Sequence, residues 1–422
     1  MKPTGPSARG WLIPRHELAL LAAIVIVFVG TGWLDPNGTY FNAWPESRDI
    51  ILRNTALLGI IALGASVVII AGGIDLSAGS MVALSGTTCA LVMSLFAEAD
   101  DRRLVTVGPV GIATAVAASL LAGLLVGTLH TWLITAIRLP PFVATLATLV
   151  GLRSFARAMC VFVTRVRWGS ESQQIQVNTP AFVWLKEHNV VISTAVFLGL
   201  AVVTWVILSR TVLGRHVYAL GGNEQAARLS GIRTENVKWF AYCFGSLTAA
   251  LAGLFLMADS SVAQPNAAGR NYELNAIAAA VVGGCSLQGG VGTVTGTVLG
   301  ALFLRLVIDA VSKLIKASAD IYEGMIVGII VALAVTLTQF GQITQAGGRL
   351  FPGLRGLAAI PTIAVFAGLL SMMGSANIEA VRGRTVPFGL AVGVAVLLLL
   401  GLLRWLEGRR SASSTPCRGP GM

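Results

Sequence analysis

The residues that could do covalent or metal chemistry are few in this sequence and poorly placed for it. Histidine occurs only at His16, His130, His188 and His216, too scattered for a metal cluster or a catalytic dyad. Cys89, Cys160, Cys243, Cys285 and Cys417 show no C-x-x-C spacing, and four of them lie in or beside apolar runs, so neither a disulfide framework nor a zinc site is indicated. No G-x-x-x-x-G-K-[ST] segment occurs, so nucleotide hydrolysis on such a loop must be done elsewhere. Carboxylates inside apolar stretches are almost limited to Asp75 and Asp309. A secondary, ion-coupled transporter would need more of them to carry protons or sodium, and an intramembrane enzyme would need a clustered nucleophile or metal site. What remains is the chemistry of backbone and packing: glycine pairs, one arginine deep in an apolar run, and the basic loop Ser209–Trp239.

Lipid must be the solvent that positions these groups. The 422 residues are 55% apolar and 12% charged, with a mean hydropathy of +0.78, far from a soluble domain in which about a quarter of residues are charged. Apolar runs of helical spanning length recur near Leu18–Leu34, Thr55–Ala71, Ser80–Ala97, Val107–Ile137, Phe142–Phe162, Val190–Leu208, Phe240–Ala258, Leu274–Gly284, Val291–Val311, Gly324–Phe340, Leu357–Gly374 and Val386–Leu403. The short alternating segments of a β-barrel are not seen. The first run follows Lys2, Arg9 and Arg15 but precedes no small-x-small cleavage site, so it reads as a span and not a signal peptide.

Charge orients the spans, because lysine and arginine collect in cytoplasmic loops. A cytoplasmic N-terminus places Ser209–Trp239 inside, with Arg210, Arg215, Arg228, Arg233 and Lys238 against only Glu224 and Glu235, and puts the C-terminal Arg404, Arg409, Arg410 and Arg418 inside too. The net charge of +11 is then topology and contact with anionic lipid, not nucleic-acid binding.

Within the basic loop, Asn223 suits a helix N-cap and Glu224 the positive helix start. Gln225–Ser230 can form about two turns with Ala226, Ala227 and Leu229 as the apolar side, and Gly231 suits the end. So short a helix is marginal in water, which leaves two readings: it packs on a partner surface, or it is a solvated connector. Gly72 and Gly73 break a span, Asp75 and Ser77 can satisfy the freed backbone donors, and Asp75 either lines the path through the bundle or caps the next helix. Gly283-Gly284 and Gly289-Gly290 echo that break, a hint of two related halves with a pathway between them. Gly292, Gly296 and Gly300 repeat on one helical face and permit close helix contact. Dinucleotide binding does not suit these glycines, since no strand precedes them. His130, in a span, is either a functional polar group or a bond to a neighbouring helix.

Several of these stretches resemble the permease subunits of ATP-binding-cassette importers. Gln225-Ala226-Ala227-x-x-x-Gly231 is similar to the E-A-A-x-x-x-G coupling loop, and the longer Leu213–Ile232 stretch resembles the ribose/xylose-type monosaccharide permeases. Ala71-Gly-Gly-Ile-Asp-Leu-Ser-Ala-Gly-Ser80, Pro140-Pro-Phe-Val-Ala-Thr-Leu-Ala-Thr148 with Arg153 beyond it, and the glycine-rich Ala280–Ala301 resemble further segments of that family in the same order. Ser154 departs from the glycine often found after the arginine. Arg153 would lie ~17 Å into a helix starting at Phe142, so it must face protein or water, in an ion pair with Asp75 or Asp309 or in the sugar path.

The resemblance implies an all-α, polytopic permease core of about ten helices, occupying 18–340 after a cytoplasmic segment 1–17, with the coupling loop at 209–239. It implies coupling to the ATPase through Gly221, Gly222, Asn223, Glu224, Ala226, Ala227 and Gly231, and a pathway or broken helices at Gly72, Gly73, Asp75, Ser77, Arg153, Gly283, Gly284, Gly289 and Gly290. The implied partners are an ATPase subunit that uses ATP and Mg, an external or periplasmic sugar-binding protein, and a second permease copy or paralogue in the inner membrane. This chain itself would hold no cofactor. Residues 341–410 are expected to add two transmembrane helices packed at the periphery, and 411–422 a disordered tail.

Overall fold

The structure is a computed structural model and describes residues 15–35, 38–314, 353–375 and 385–413, with isolated positions between 324 and 336. The chain divides into two compact units, Met1–Ala310 and Val311–Met422. The first opens with α1 (Arg15–Leu34), the single turn α2 (Thr39–Asn42) and the long helices α3 (Trp44–Ile70), α4 (Ala78–Phe96), α5 (Pro109–Thr135) and α6 (Pro141–Trp168). Strand β1 (Ile175–Gln176), α7 (Pro180–Glu187), α8 (Asn189–Arg210), α9 (Val212–Gly222) and α10 (Glu224–Leu229) follow. Then come α11 (Thr234–Ser260), strand β2 (Val262–Ala263), α12 (Tyr272–Val282) and α13 (Val294–Leu314), within which the unit ends. Among the described residues nine helices are long and apolar enough to cross a bilayer, as an all-α, many-span membrane protein requires.

Helices α3, α4 and α11 are buried along most of their length, whereas α1, α6 and α8 show most of their surface outward. Small residues set this inner layer, since lipid offers helices no hydrophobic drive to associate and close backbone contact must do so instead. A Cβ on Gly127 of α5 would come 2.5 Å from the Cys243 Cα of α11, and one on Gly64 of α3 would come 2.9 Å from the Gly245 Cα. The Ser85 hydroxyl donates to the Ala250 carbonyl (2.6 Å), adding a polar tie between α4 and α11.

Three span readings change. Helix α3 begins at Trp44, well before Thr55, because its first turns carry Glu46, Arg48, Asp49 and Arg53 and so look like a loop by hydropathy. Proline in the first turn starts the helix, and Arg53 pairs with Asp259 of α11 at 3.0 Å. The run Leu274–Gly284 is α12, 11 residues and ~16 Å long, which is half a bilayer and not a crossing. Gly292 lies ahead of α13, so only Gly296 and Gly300 of the glycine series sit on that helix, pressed against Gly283 and the Ala279 carbonyl of α12. The expected span Gly324–Phe340 lies largely outside the described residues.

The second unit contains the helices Gly353–Ser375 and Thr385–Ser413, which pack on one another. Glycine again permits the contact: a Cβ on Gly389 would come 2.7 Å from the Gly368 carbonyl.

Candidate functional site

The basic loop folds as a capped helical elbow. Thr211 caps α9 by accepting from the Gly214 N–H (3.1 Å), and Asn223 caps α10 by accepting from the Ala226 N–H (2.9 Å). Glu224, in the first turn of α10, takes the Lys238 ammonium at 2.7 Å, which ties α10 to the start of α11. Gly231 turns the chain at φ +84, and the Ile232 N–H returns to the Ala227 carbonyl (3.1 Å), closing the end of the six-residue helix. Ala226, Ala227 and Leu229 do not share one face. Ala227 is 4% exposed, packed on its own chain, while Leu229 stands 90% exposed.

Behind the elbow, three of the glycine segments meet backbone to backbone. Helix α3 ends at Ile70, and Gly72 takes φ +83. A Cβ on Gly221 would overlap the Ile70 carbonyl oxygen and come 2.5 Å from the Gly290 nitrogen. Gly290 donates to that same Ile70 carbonyl (2.9 Å). A Cβ on Gly289 would lie 2.7 Å from the Gly221 oxygen and 2.8 Å from the Gly72 Cα, and one on Gly290 would lie 2.8 Å from the Gly222 Cα. The Tyr218 hydroxyl of α9 donates to the Gly292 carbonyl (2.8 Å); burial, then the neighbouring Cys285 thiol, pushes that phenol above its usual range and keeps it protonated. The elbow, the end of α3 and the α12–α13 turn are therefore joined by backbone contact at Gly221, Gly289 and Gly290, with the Tyr218 side chain as a further tie.

The two broken helices end alike. Ala71 and Gly283 are right-handed caps, followed by Gly72 at φ +83 and Gly284 at φ +97. Gly73 donates to Val68 and Cys285 to Ala280, each over 2.9 Å. The echo thus aligns Gly72 with Gly284 and Gly73 with Cys285. Gly73 is small for another reason, since a Cβ there would run into the Tyr242 hydroxyl. A cavity of about 470 Å³ opens beside this junction, walled by Gly72, Arg138, Pro141, Gly221, Glu224 and Tyr242.

Deeper in the bundle, one Asp75 oxygen accepts from the Ser77 N–H (2.8 Å) and hydroxyl (2.6 Å), a capping arrangement at the start of α4. The carboxylate is 4% exposed. Thr145 of the P-P-F segment donates to the freed Ile74 carbonyl (3.1 Å), and Ser80 to the Leu149 carbonyl (2.5 Å). His130 bonds Thr148 of α6 at 2.7 Å, the helix-to-helix role. Of the two readings of Arg153, the ion pair with Asp75 or Asp309 is not formed. Its guanidinium donates to the carbonyls of Pro265 (3.0 Å), Ala268 (2.9 Å) and Gly269 (3.2 Å), because those peptide groups lie outside any helix and need donors.

Other contacts have no local mark in the sequence. The His16 ring bonds the Val282 carbonyl (3.0 Å), and Glu17 accepts from Thr293 (2.9 Å) and Thr295 (2.5 Å), stitching the start of α1 to the α12–α13 turn. Only the presence of a charged residue at the head of an apolar run hinted at Glu17.

A many-span helical bundle, in which an exposed capped helix follows directly on a segment packed against the ends of two broken helices, has the architecture of a membrane permease subunit. The chain belongs to the family described as "Branched-chain amino acid transport system / permease component", which it matches over residues 47–335. It is 34% identical to the ribose import permease protein RbsC of Escherichia coli strain K12 over 342 residues, covering 78% of this chain and 94% of the relative. It is 37% identical to the RbsC of Haemophilus influenzae over 297 residues, 68% and 83% of the two chains. The autoinducer 2 import system permease protein LsrC of Yersinia pestis is 32% identical over 323 residues, 75% and 84% of the two chains. No solved structure matches. The family match ends before the helices Gly353–Ser375 and Thr385–Ser413.

Proposed function

We propose that this permease imports a monosaccharide of the ribose and xylose kind, or a related polyol, in an ATP-driven importer whose ATPase is a separate subunit. An external binding protein delivers the sugar and sets most of the choice among sugars, and a second permease, identical or related, completes the passage. The relatives' names support the substrate class. The lack of a phosphate-binding loop supports a separate engine using ATP and Mg. The excess of arginine and lysine over Ser209–Trp239 supports a cytoplasmic elbow, and with it a cytoplasmic N-terminus and C-terminus.

The observation that carries the mechanism is that the elbow joins an exposed tip to a backbone-on-backbone junction. Leu229 projects at one end, suited to a cleft in the ATPase, while Gly221 is locked on Ile70 and Gly290 at the other. A displacement of α10 by the closing ATPases therefore reaches the end of α3 and the α12–α13 turn through backbone contact. Both ends of the broken-helix pair move together, which is what a switch between inward- and outward-facing states needs.

Purified permease reconstituted in proteoliposomes with and without its ATPase tests this reading. Sugar uptake should require both the ATPase and ATP. Uptake driven by an ion gradient with the ATPase absent would instead favour a secondary transporter.

A further inference from the structure

After β2 pairs with β1, with Ala263 opposite Ile175, the chain does not cross directly into a new helix. Residues 264–271 run down to the level of Arg153, which lies near the middle of the 28-residue helix α6 and bonds the Pro265, Ala268 and Gly269 carbonyls. Gly269, at φ +64, sits against Gly79 and Val82 at the start of α4, and α12 then runs on from Tyr272. The segment is a re-entrant loop whose floor lies within the span of α6.

Along this loop Gln264, Arg270 and Asn271 are exposed, and their side chains make no hydrogen bond among the described residues. Arg157 of α6, one turn beyond Arg153, is exposed as well. A guanidinium or free amide facing hydrocarbon at the level of Arg153 is strongly disfavoured, so Arg157, Arg270 and Asn271 do not face lipid, while Gln264, next to β2, stands at the sheet end of the same segment. Asn271 occupies the N-cap position of α12 at φ 64, yet its side chain makes no capping bond. Its amide is left unspent.

Resting on the sugar-import reading above, we propose that Gln264, Arg270 and Asn271 form this permease's share of a polar passage for a neutral polyhydroxylated solute, closed on the far side by the second permease. Amide groups both donate and accept, and a guanidinium fork donates to adjacent hydroxyls, so together they can exchange hydrogen bonds with a sugar as it sheds water. Glu273, in the first turn of α12, offsets the positive charge around the loop and suits it to an uncharged passenger.

Two measurements on the complete importer test this. Gln264→Cys and Asn271→Cys are exposed to a charged, membrane-impermeant thiol reagent, with Phe155→Cys, on the face of α6 opposite Arg157, as the lipid-facing reference; Cys417 is replaced by serine throughout, and the chain so changed, whose Cys89, Cys160, Cys243 and Cys285 are buried, is the background. Reaction at the two loop positions and silence at position 155 is expected. Silence at all three, or equal reaction at all three, overturns the passage. Asn271→Gly then removes the amide while tolerating the left-handed backbone. Sugar uptake should fall about fivefold to tenfold, the size of one hydrogen bond, while ATP hydrolysis stimulated by the loaded binding protein stays within about twofold. Unchanged uptake, or equal loss of both activities, would count against a contact with the solute. Wild-type vesicles that import no monosaccharide would sink the functional reading instead, and the labelling would still report on the passage.

Discussion

Leu229 offers the sharpest test of how the permease meets its engine. The side chain is 90% exposed, so cutting it back to alanine removes almost no packing from the permease itself. If the ATPase cleft buries it fully, the lost contact is worth about 1.5–3 kcal/mol, or roughly 10- to 100-fold in the affinity between the subunits. Leu229→Asp should do more, since a carboxylate carried into an apolar cleft adds a desolvation cost to the lost burial. Affinity can be measured by titrating labelled ATPase against the permease in nanodiscs, with thermal melting of the permease alone as the control for folding. Leu229→Ala should melt with the wild type, bind more weakly and import less sugar. An unchanged affinity for both variants would refute the docking of this helix tip. Ala227 is a worse place to probe, because it is packed within its own chain and Ala227→Asp would disturb the elbow before any partner is met.

Adjacent glycines in the elbow should behave differently. A Cβ at Gly221 meets the Ile70 carbonyl and the Gly290 nitrogen, whereas one at Gly222 meets nothing within 4 Å. Gly221→Ala should therefore strain the junction by about 1–3 kcal/mol and cut uptake more than ATP hydrolysis, while Gly222→Ala imports normally; equal effects in vesicle assays would show that the junction does not transmit. Arg153→Ala strips donors from three carbonyls, a loss of at least ~3 kcal/mol that should lower the melting temperature and the amount of permease in membranes without changing which sugar is preferred. A well-folded Arg153→Ala protein with altered sugar preference would place that arginine in the path instead.

The two ends of the elbow are held in different ways. At α10 the hold is by side chains: the Asn223 cap, the Glu224–Lys238 pair and the seat of Ala227. Such contacts can flex by rotamer changes. At Gly221 the contact is backbone on backbone, and close-packed interiors transmit displacement instead of absorbing it.

Much of this protein was written locally. Lipid demands helices of about twenty apolar residues, so α4, α5 and α8 could be read to within about two residues, whereas α6 and α11 run six residues past their apolar runs into charged turns; left-handed backbone demands glycine, so the breaks at Gly72, Gly284 and Gly289 were visible as well. The cap at Asn223 and the stop at Gly231 were legible for the same reason, since caps and turns involve neighbours in the chain. Tertiary structure alone decided what each of these pieces touches. That Arg153 serves peptide carbonyls more than a hundred residues away, and that Gly221 rests on Ile70 and Gly290, left no periodic trace in the sequence. A local preference is set by bonds within a few residues, whereas a close approach between distant backbones depends on where whole helices come to rest, and no short motif encodes that.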